Sequence, residues 1–137
     1  NINTEYVIRF RLDFNKIPKI KCLHTKDAFT VNKGGKGNGA LVYPIGMLTA
    51  DETSLAGMEA GIANSTNFLY SNTLFFLLAP YRYNYNNGYT SLWTISSTGY
   101  FGGHPADFSL GVRGVLNLTP DTKVSGSGSI DDPFVVI

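Results

Sequence analysis

Two apolar runs bracket a polar, aromatic interval in the second half of the chain. Leu74-Phe75-Phe76-Leu77-Leu78-Ala79-Pro80 opens the stretch 74–118, and Leu110-Gly111-Val112-Arg113-Gly114-Val115-Leu116-Asn117-Leu118 closes it. Between them, residues 81–103 are mostly Tyr, Asn, Ser and Gly, with Arg82 the only charge. Short apolar runs of this kind predict two buried strands holding out an aromatic surface. Within that surface Tyr81, Tyr83 and Tyr85 alternate with Arg82, Asn84 and Asn86, and Asn87-Gly88 is the strongest hairpin dipeptide of the chain. Residues 89–95 return as a strand, and Ser97-Thr98-Gly99 turns again into Tyr100-Phe101. Gly102-Gly103-His104-Pro105 reads as a loop, with closing strands at 106–110 and 112–118.

Upstream the pattern is less decided. Tyr6, Ile8, Phe10, Leu12 and Phe14 alternate with Val7, Arg9, Arg11 and Asp13, which favours a strand over residues 5–14. The same residues, entered through Thr4-Glu5, also suit an N-capped helix with an apolar stripe. Short strands are expected at 20–23, 28–31 and 40–45, the last interrupted by Pro44. Residues 32–39 carry four glycines and predict a wide flexible loop. Thr49-Ala50-Asp51-Glu52 is a capping box, so a helix over about 50–59 should follow, with Leu55 and Met58 turned inward and Gly57 or Gly61 near its end. Residues 64–67 form a polar turn. Residues 119–132 are a Ser/Gly/Asp-rich tail, and 134–137 make a last short strand or a docked end.

Length and composition sharpen this picture. The 137 residues suit one domain (an N-terminal element 1–19, a core 20–118 and a tail 119–137). Fifteen Gly with nine Phe and eight Tyr point to turns and short strands rather than long helices. The expected class is therefore α+β, with small antiparallel sheets and one or two short helices. Starting at Asn1 without Met, the chain is expected to be a mature product or part of a longer parent chain. A net charge of +1 excludes the strong global field of a nucleic-acid binder, but the charge is uneven: +5 in the first 36 residues and −4 in the rest. A solvated face is the simpler reading of the basic part, an anion-binding patch the other. No apolar run approaches the ~20 residues of a membrane span, so membrane attachment would need a missing anchor.

Candidate chemistry is sparse. Lys33-Gly34-Gly35-Lys36-Gly37 lacks the spacing of a phosphate loop. Adjacent Asp51 and Glu52 are explained by capping rather than by acid–base work. His24 and His104 have no partner motif for zinc or for nucleophilic catalysis, and no Gly-x-Ser-x-Gly elbow is present. Cys22 is the single cysteine: a small buried hydrophobe, or a partner for a cysteine in missing parent sequence. Asp131 and Asp132 read as solvated tail rather than calcium ligands. No cofactor is expected, and a non-catalytic role fits better than an enzyme.

The block Gly37-Asn38-Gly39-Ala40-Leu41-Val42-Tyr43-Pro44-Ile45-Gly46-Met47-Leu48-Thr49-Ala50-Asp51-Glu52 resembles one that recurs in a poorly characterised family of domains from surface and pilin-like proteins of gut Firmicutes and relatives. Such domains continue through Trp-x-x-Ser-Pro, Gly-Val-Arg-Pro and Asp-Gly-Thr-x-x-Asn-Pro-Tyr motifs. The matching positions here run Phe76 to Pro80, Gly111 to Gly114, and Gly128 to Phe134, and the resemblance covers residues 20–137. Phe76 stands for the family's Trp, Ala79 for its Ser and Gly114 for its Pro. The Gly-Val-Arg close is also similar to the ending of C-type-lectin-like and sulfatase-modifying folds. That likeness implies a C-type-lectin-like domain with a ligand-facing surface before the final strand and Arg113 as a structural anchor. The resemblance to surface and pilin-like proteins implies an extracellular, cell-surface location, and a hydrophobic anchoring helix in the parent.

The expected function is recognition of a glycan or protein outside the cell. Tyr and Trp supply rigid contact area, while Asn, Ser and Gly supply adaptable hydrogen bonding. The expected contact residues are Tyr83, Tyr85, Asn87, Tyr89, Trp93, Tyr100 and His104. The alternative is a structural subunit of a surface or pilus-like filament, self-associating through its basic and acidic parts.

Overall fold

A computed structural model describes residues 4–5, 7–21, 30, 37, 39–43, 45–129 and 131–137. Cys22, His24, Pro44, most of the glycine-rich loop 32–39 and most of the strands expected at 20–23 and 28–31 lie outside the described residues. The chain forms a small α+β arrangement built mainly of short sheets.

The alternation over 5–14 does not become a strand beyond β1 (Thr4–Glu5). Val7–Arg9 forms a turn of helix, α1, which continues as the wider π-helical turn Phe10–Phe14. Helical spacing wins because it stacks Ile8 and Leu12 on one face against the core, with Leu12 fully buried. The same spacing brings Arg9 Nε to 2.8 Å from Asp13 Oδ2 and leaves Val7, Phe10 and Phe14 exposed. Residues 40–43 are irregular rather than extended, with Val42 and Tyr43 in solvent. Pairing begins only at β2 (Gly46–Met47).

The capping box forms as the sequence predicts. Glu52 N–H donates to Thr49 Oγ1 at 3.2 Å, and Thr49 N–H donates to Glu52 Oε2 at 2.9 Å. The helix it starts, α2 (Ala50–Leu55), is shorter than expected. It stops because Asn67 Nδ2 takes the Ala56 carbonyl at 2.8 Å and Gly57 adopts φ +93°. Met58 is buried, but Leu55 is exposed, and the inward positions of the helix are Ala50, Asp51 and Thr53.

The main sheet is ordered β1–β3–β4–β5, from β3 (Phe75–Asn84), β4 (Tyr89–Ile95) and β5 (Phe101–Pro105). The neighbours in that order are antiparallel, and β6 (Gly111–Val112) adds a short parallel pairing to the start of β3. Pro80 is tolerated inside β3 because the ladder is irregular on both sides of it: register shifts separate Phe76, Pro80 and Arg82. In the first shift Leu78 N–H bonds to Leu48 O at 2.8 Å instead of to β4.

Three expectations are corrected downstream. Gly102 to Pro105 are not loop but most of β5, and the paired glycines admit rings rather than turns. A Cβ on Gly103 would overlap the Tyr81 ring, and one on Gly102 would meet the Tyr100 ring. Residues 106–110 are a turn and its exit, not a strand. The run 110–118 is not buried, since β6 and β7 (Gly114–Val115) are two-residue ladders and Val112, Leu116 and Leu118 stay exposed. The chain closes as the ribbon β8 (Val124–Ser125) with β9 (Val135–Val136), in keeping with the short strand expected there.

Candidate functional site

The core fixes which aromatic residues can face solvent. Trp93 stands at its centre, 4.8 Å edge-on from Tyr81 and 4.6 Å from the tilted ring of Phe101, with Phe75 and Ile95 also fully buried. Its indole is 0% exposed, so Trp93 is corrected from contact residue to core residue. Its Nε1 is buried without a hydrogen-bond partner. Above it, Tyr81 O–H donates to Asp13 Oδ2 at 3.0 Å, and the Arg9 guanidinium lies 4.4 Å over the Tyr81 ring. Burial, reinforced by the charge of Asp13, pushes the Tyr81 phenol up to about 12.

The remaining expected residues separate into two places. Tyr85 and Asn87 sit in the four-residue loop 85–88 that joins β3 to β4, and Tyr83 and Tyr89 lie on the strands entering and leaving it. The loop is shaped by its own amides. Asn84 Oδ1 accepts from Asn86 N–H at 3.0 Å, Asn87 Oδ1 accepts from Tyr89 N–H at 3.3 Å, and Gly88 takes φ +70°. Tyr85 and Tyr89 are 62% and 49% exposed, whereas Tyr83 is half-buried, across from Thr90. His104, on β5, pairs with Leu92 of β4 and meets Phe108 edge-on at 4.7 Å. Tyr100 lies at the other end of the sheet, in the turn joining β4 to β5, where its N–H bonds Ser96 Oγ at 3.0 Å. Tyr89 and Ile95 are the two ends of the seven-residue β4, about 20 Å apart at strand rise, so Tyr100 does not share a surface with Tyr85.

Beside the hairpin loop is a shallow open depression of ≈ 360 Å³ lined by Gly88, Tyr89, Thr90, Ala106 and Asp107. It exists because Ala106 N–H bonds Thr90 O at 2.9 Å, folding the exit of β5 back against the start of β4. Asp107 and Phe108, the latter 55% exposed, were not singled out from sequence. They follow Pro105 in a segment read as a strand, and the turn brings Asp107 to the hairpin while Phe108 packs on His104. An exposed ring, a carboxylate and a hydroxyl around an open hollow suit a hydroxyl-bearing ligand.

Arg113 has the anchoring role expected of it, with Nη1 donating to Leu69 O at 2.7 Å and the guanidinium 4.9 Å over Phe75. Among the described residues no group of three His, Cys, Asp or Glu converges to hold a metal, and no helix is long and apolar enough to cross a membrane. Comparison with protein-family models, curated proteins and solved structures gives no match.

Proposed function

We propose that this chain is a non-catalytic recognition domain of a bacterial surface protein, working outside the cell, whose contact surface is the β3–β4 hairpin end. The observation that carries the reading is an open hollow lined by exposed Tyr89 with Thr90 and Asp107, beside the turn that presents exposed Tyr85, on a sheet anchored by a packed core. Rings that stand in solvent on a rigid support lose little entropy on binding, which favours recognition of sugars or extended peptide. The finer fold reading, a C-type-lectin-like domain, is supported by the Gly111-Val112-Arg113 segment returning beside the start of β3 after the ligand-facing stretch.

The test is binding of the purified domain to glycan and cell-wall arrays, beside Tyr85→Ala and Tyr89→Ala variants of matched stability. Specific binding that drops at least tenfold in the variants supports the reading. Binding unchanged in both variants, or no binding to any probe, overturns it.

A further inference from the structure

We infer that this chain associates with a second copy of itself head to tail, the β8–β9 ribbon of one copy docking on the 17–21 segment of the next. This inference is independent of the hairpin surface. Its first ground is apolar exposure. One face of the ribbon presents Val124, Phe134 and Val136 at 42%, 64% and 58% exposure, the register pairing Val124 with Val136. Val135 and Ile137, at 54% and 75%, stand on the other face. A two-stranded ribbon with apolar residues exposed on both faces is marginal in water by itself.

The second ground is charge. From Asp121 onward the chain carries Asp121, Lys123, Asp131 and Asp132, net −2, so two ribbons facing each other across a two-fold axis would repel. The 17–21 segment offers the complement: Lys19 and Lys21, exposed and without an acidic partner among the described residues, interleaved with Ile17 and Ile20 at 54% and 81% exposure. The cations before it are engaged within the molecule, Arg9 with Asp13, Arg11 with Asp51 and Lys16 with Glu59. The segment is also held in place. Arg11 Nη1 grips Ile17 O at 3.1 Å, and Lys19 N–H donates to Asp51 Oδ1 at 2.7 Å. A preorganised platform costs less to dock on than a loose one. The apolar residues would supply the affinity, and the charges would choose the partner face and orientation. Because the two surfaces differ, the contact is heterologous and propagates as an open chain or a ring.

The test is sedimentation velocity and light scattering of the protein from low to high micromolar concentration, at low and high salt. Two variants accompany it: Lys19→Glu/Lys21→Glu and Asp131→Lys. None of these side chains has an internal partner among the described residues, and circular dichroism verifies that both variants stay folded. The wild type should associate with increasing concentration, roughly tenfold more weakly at high salt. Each variant alone should remain monomeric, and an equal mixture of the two should form a capped pair, because the unaltered ribbon of the Lys19→Glu/Lys21→Glu variant then meets the unaltered platform of the Asp131→Lys variant. A wild type monomeric throughout overturns the inference. So does association that survives both reversals, or a closed dimer indifferent to the Lys19→Glu/Lys21→Glu change.

Discussion

Arg11 and Asp51 form a two-point ion pair across forty residues of sequence. Arg11 Nη2 reaches Asp51 Oδ2 at 2.8 Å and Nη1 holds Oδ1, while the Lys19 amide donates to that same carboxylate oxygen. The pair ties the N-terminal helical turn to the first turn of α2. The hydrogen bonds that the Arg11 guanidinium donates to Asp51 raise its pKa above its ordinary value despite the opposing effect of burial. Asp51 therefore does more than oppose the helix end.

Both side chains are largely buried, at 16% and 12% exposure, so removing one charge leaves the other desolvated and uncompensated. Asp51→Asn preserves shape and one acceptor for the Lys19 amide. It is expected to cost about 3 kcal/mol of unfolding free energy in a urea titration. Glu52→Gln, in the exposed capping box, should cost under about 1 kcal/mol. Equal losses in the two variants would contradict the clamp.

A second expectation concerns alkaline pH. The Tyr81 phenol is raised from 10.0 to about 12, so between those values the folded state holds a proton that the unfolded chain has released. Its contribution is fully present below about pH 10 and is lost as pH rises through the folded value. Two units correspond to at most ~2.7 kcal/mol, and partial exposure of the ring reduces this to about 1–2 kcal/mol. Tyr81→Phe should abolish this component of the alkaline stability loss, measured by chemical denaturation across that range. An unchanged profile in the variant would remove Tyr81 as its source.

The two glycine sites separate steric from conformational cost. At Gly103 a Cβ would overlap the Tyr81 ring, itself pinned between Trp93 and Arg9, so Gly103→Ala is expected to cost about 2–3 kcal/mol. At Gly88 a Cβ meets nothing within 4 Å, and only φ +70° resists it, for about 1 kcal/mol. Thermal unfolding of both variants should rank them in that order. The reverse order would mean that Tyr81 moves aside freely.

Local chemistry was the legible part of this fold. Thr49 to Glu52 declared a helix start, and Asn87-Gly88 declared a turn, because in each case the partners lie within four residues. What depends on distant cover was not legible. Tyr89 and Trp93 are separated by four positions of one strand and so lie on the same face of β4, yet Tyr89 is half exposed and Trp93 is sealed. The difference is that Tyr81 and Phe101 pack against Trp93, with the helical turn from Arg9 above Tyr81. That cover is set by the irregular ladder around Pro80 and by a helical turn whose residues also alternate like a strand. Likewise Gly102-Gly103 carries a loop's composition, but its reason is the room two rings require.

The same contrast gives the sharpest expectation for the site. Trp93 is the chain's single tryptophan and should emit at short wavelength, unquenched by acrylamide, as a fully buried indole does. Replacing it with Phe removes part of a packed ring system, a loss of about 2 kcal/mol. The change also deletes an unpartnered buried N–H, which returns about 1 kcal/mol. The packing loss prevails, so Trp93→Phe should be destabilised by about 1 kcal/mol while the folded fraction retains any binding the hairpin surface has. Tyr85→Ala should do the opposite: its ring is 62% exposed on a loop, so stability should change by less than about 0.5 kcal/mol. Any ligand affinity of the hairpin surface should fall instead. Measuring both quantities on both variants separates core from contact surface. If Trp93→Phe lost affinity at unchanged stability while Tyr85→Ala kept it, the indole would have to reach solvent in the bound state, and the contact surface would lie at the Trp93 end of β4 rather than at the hairpin.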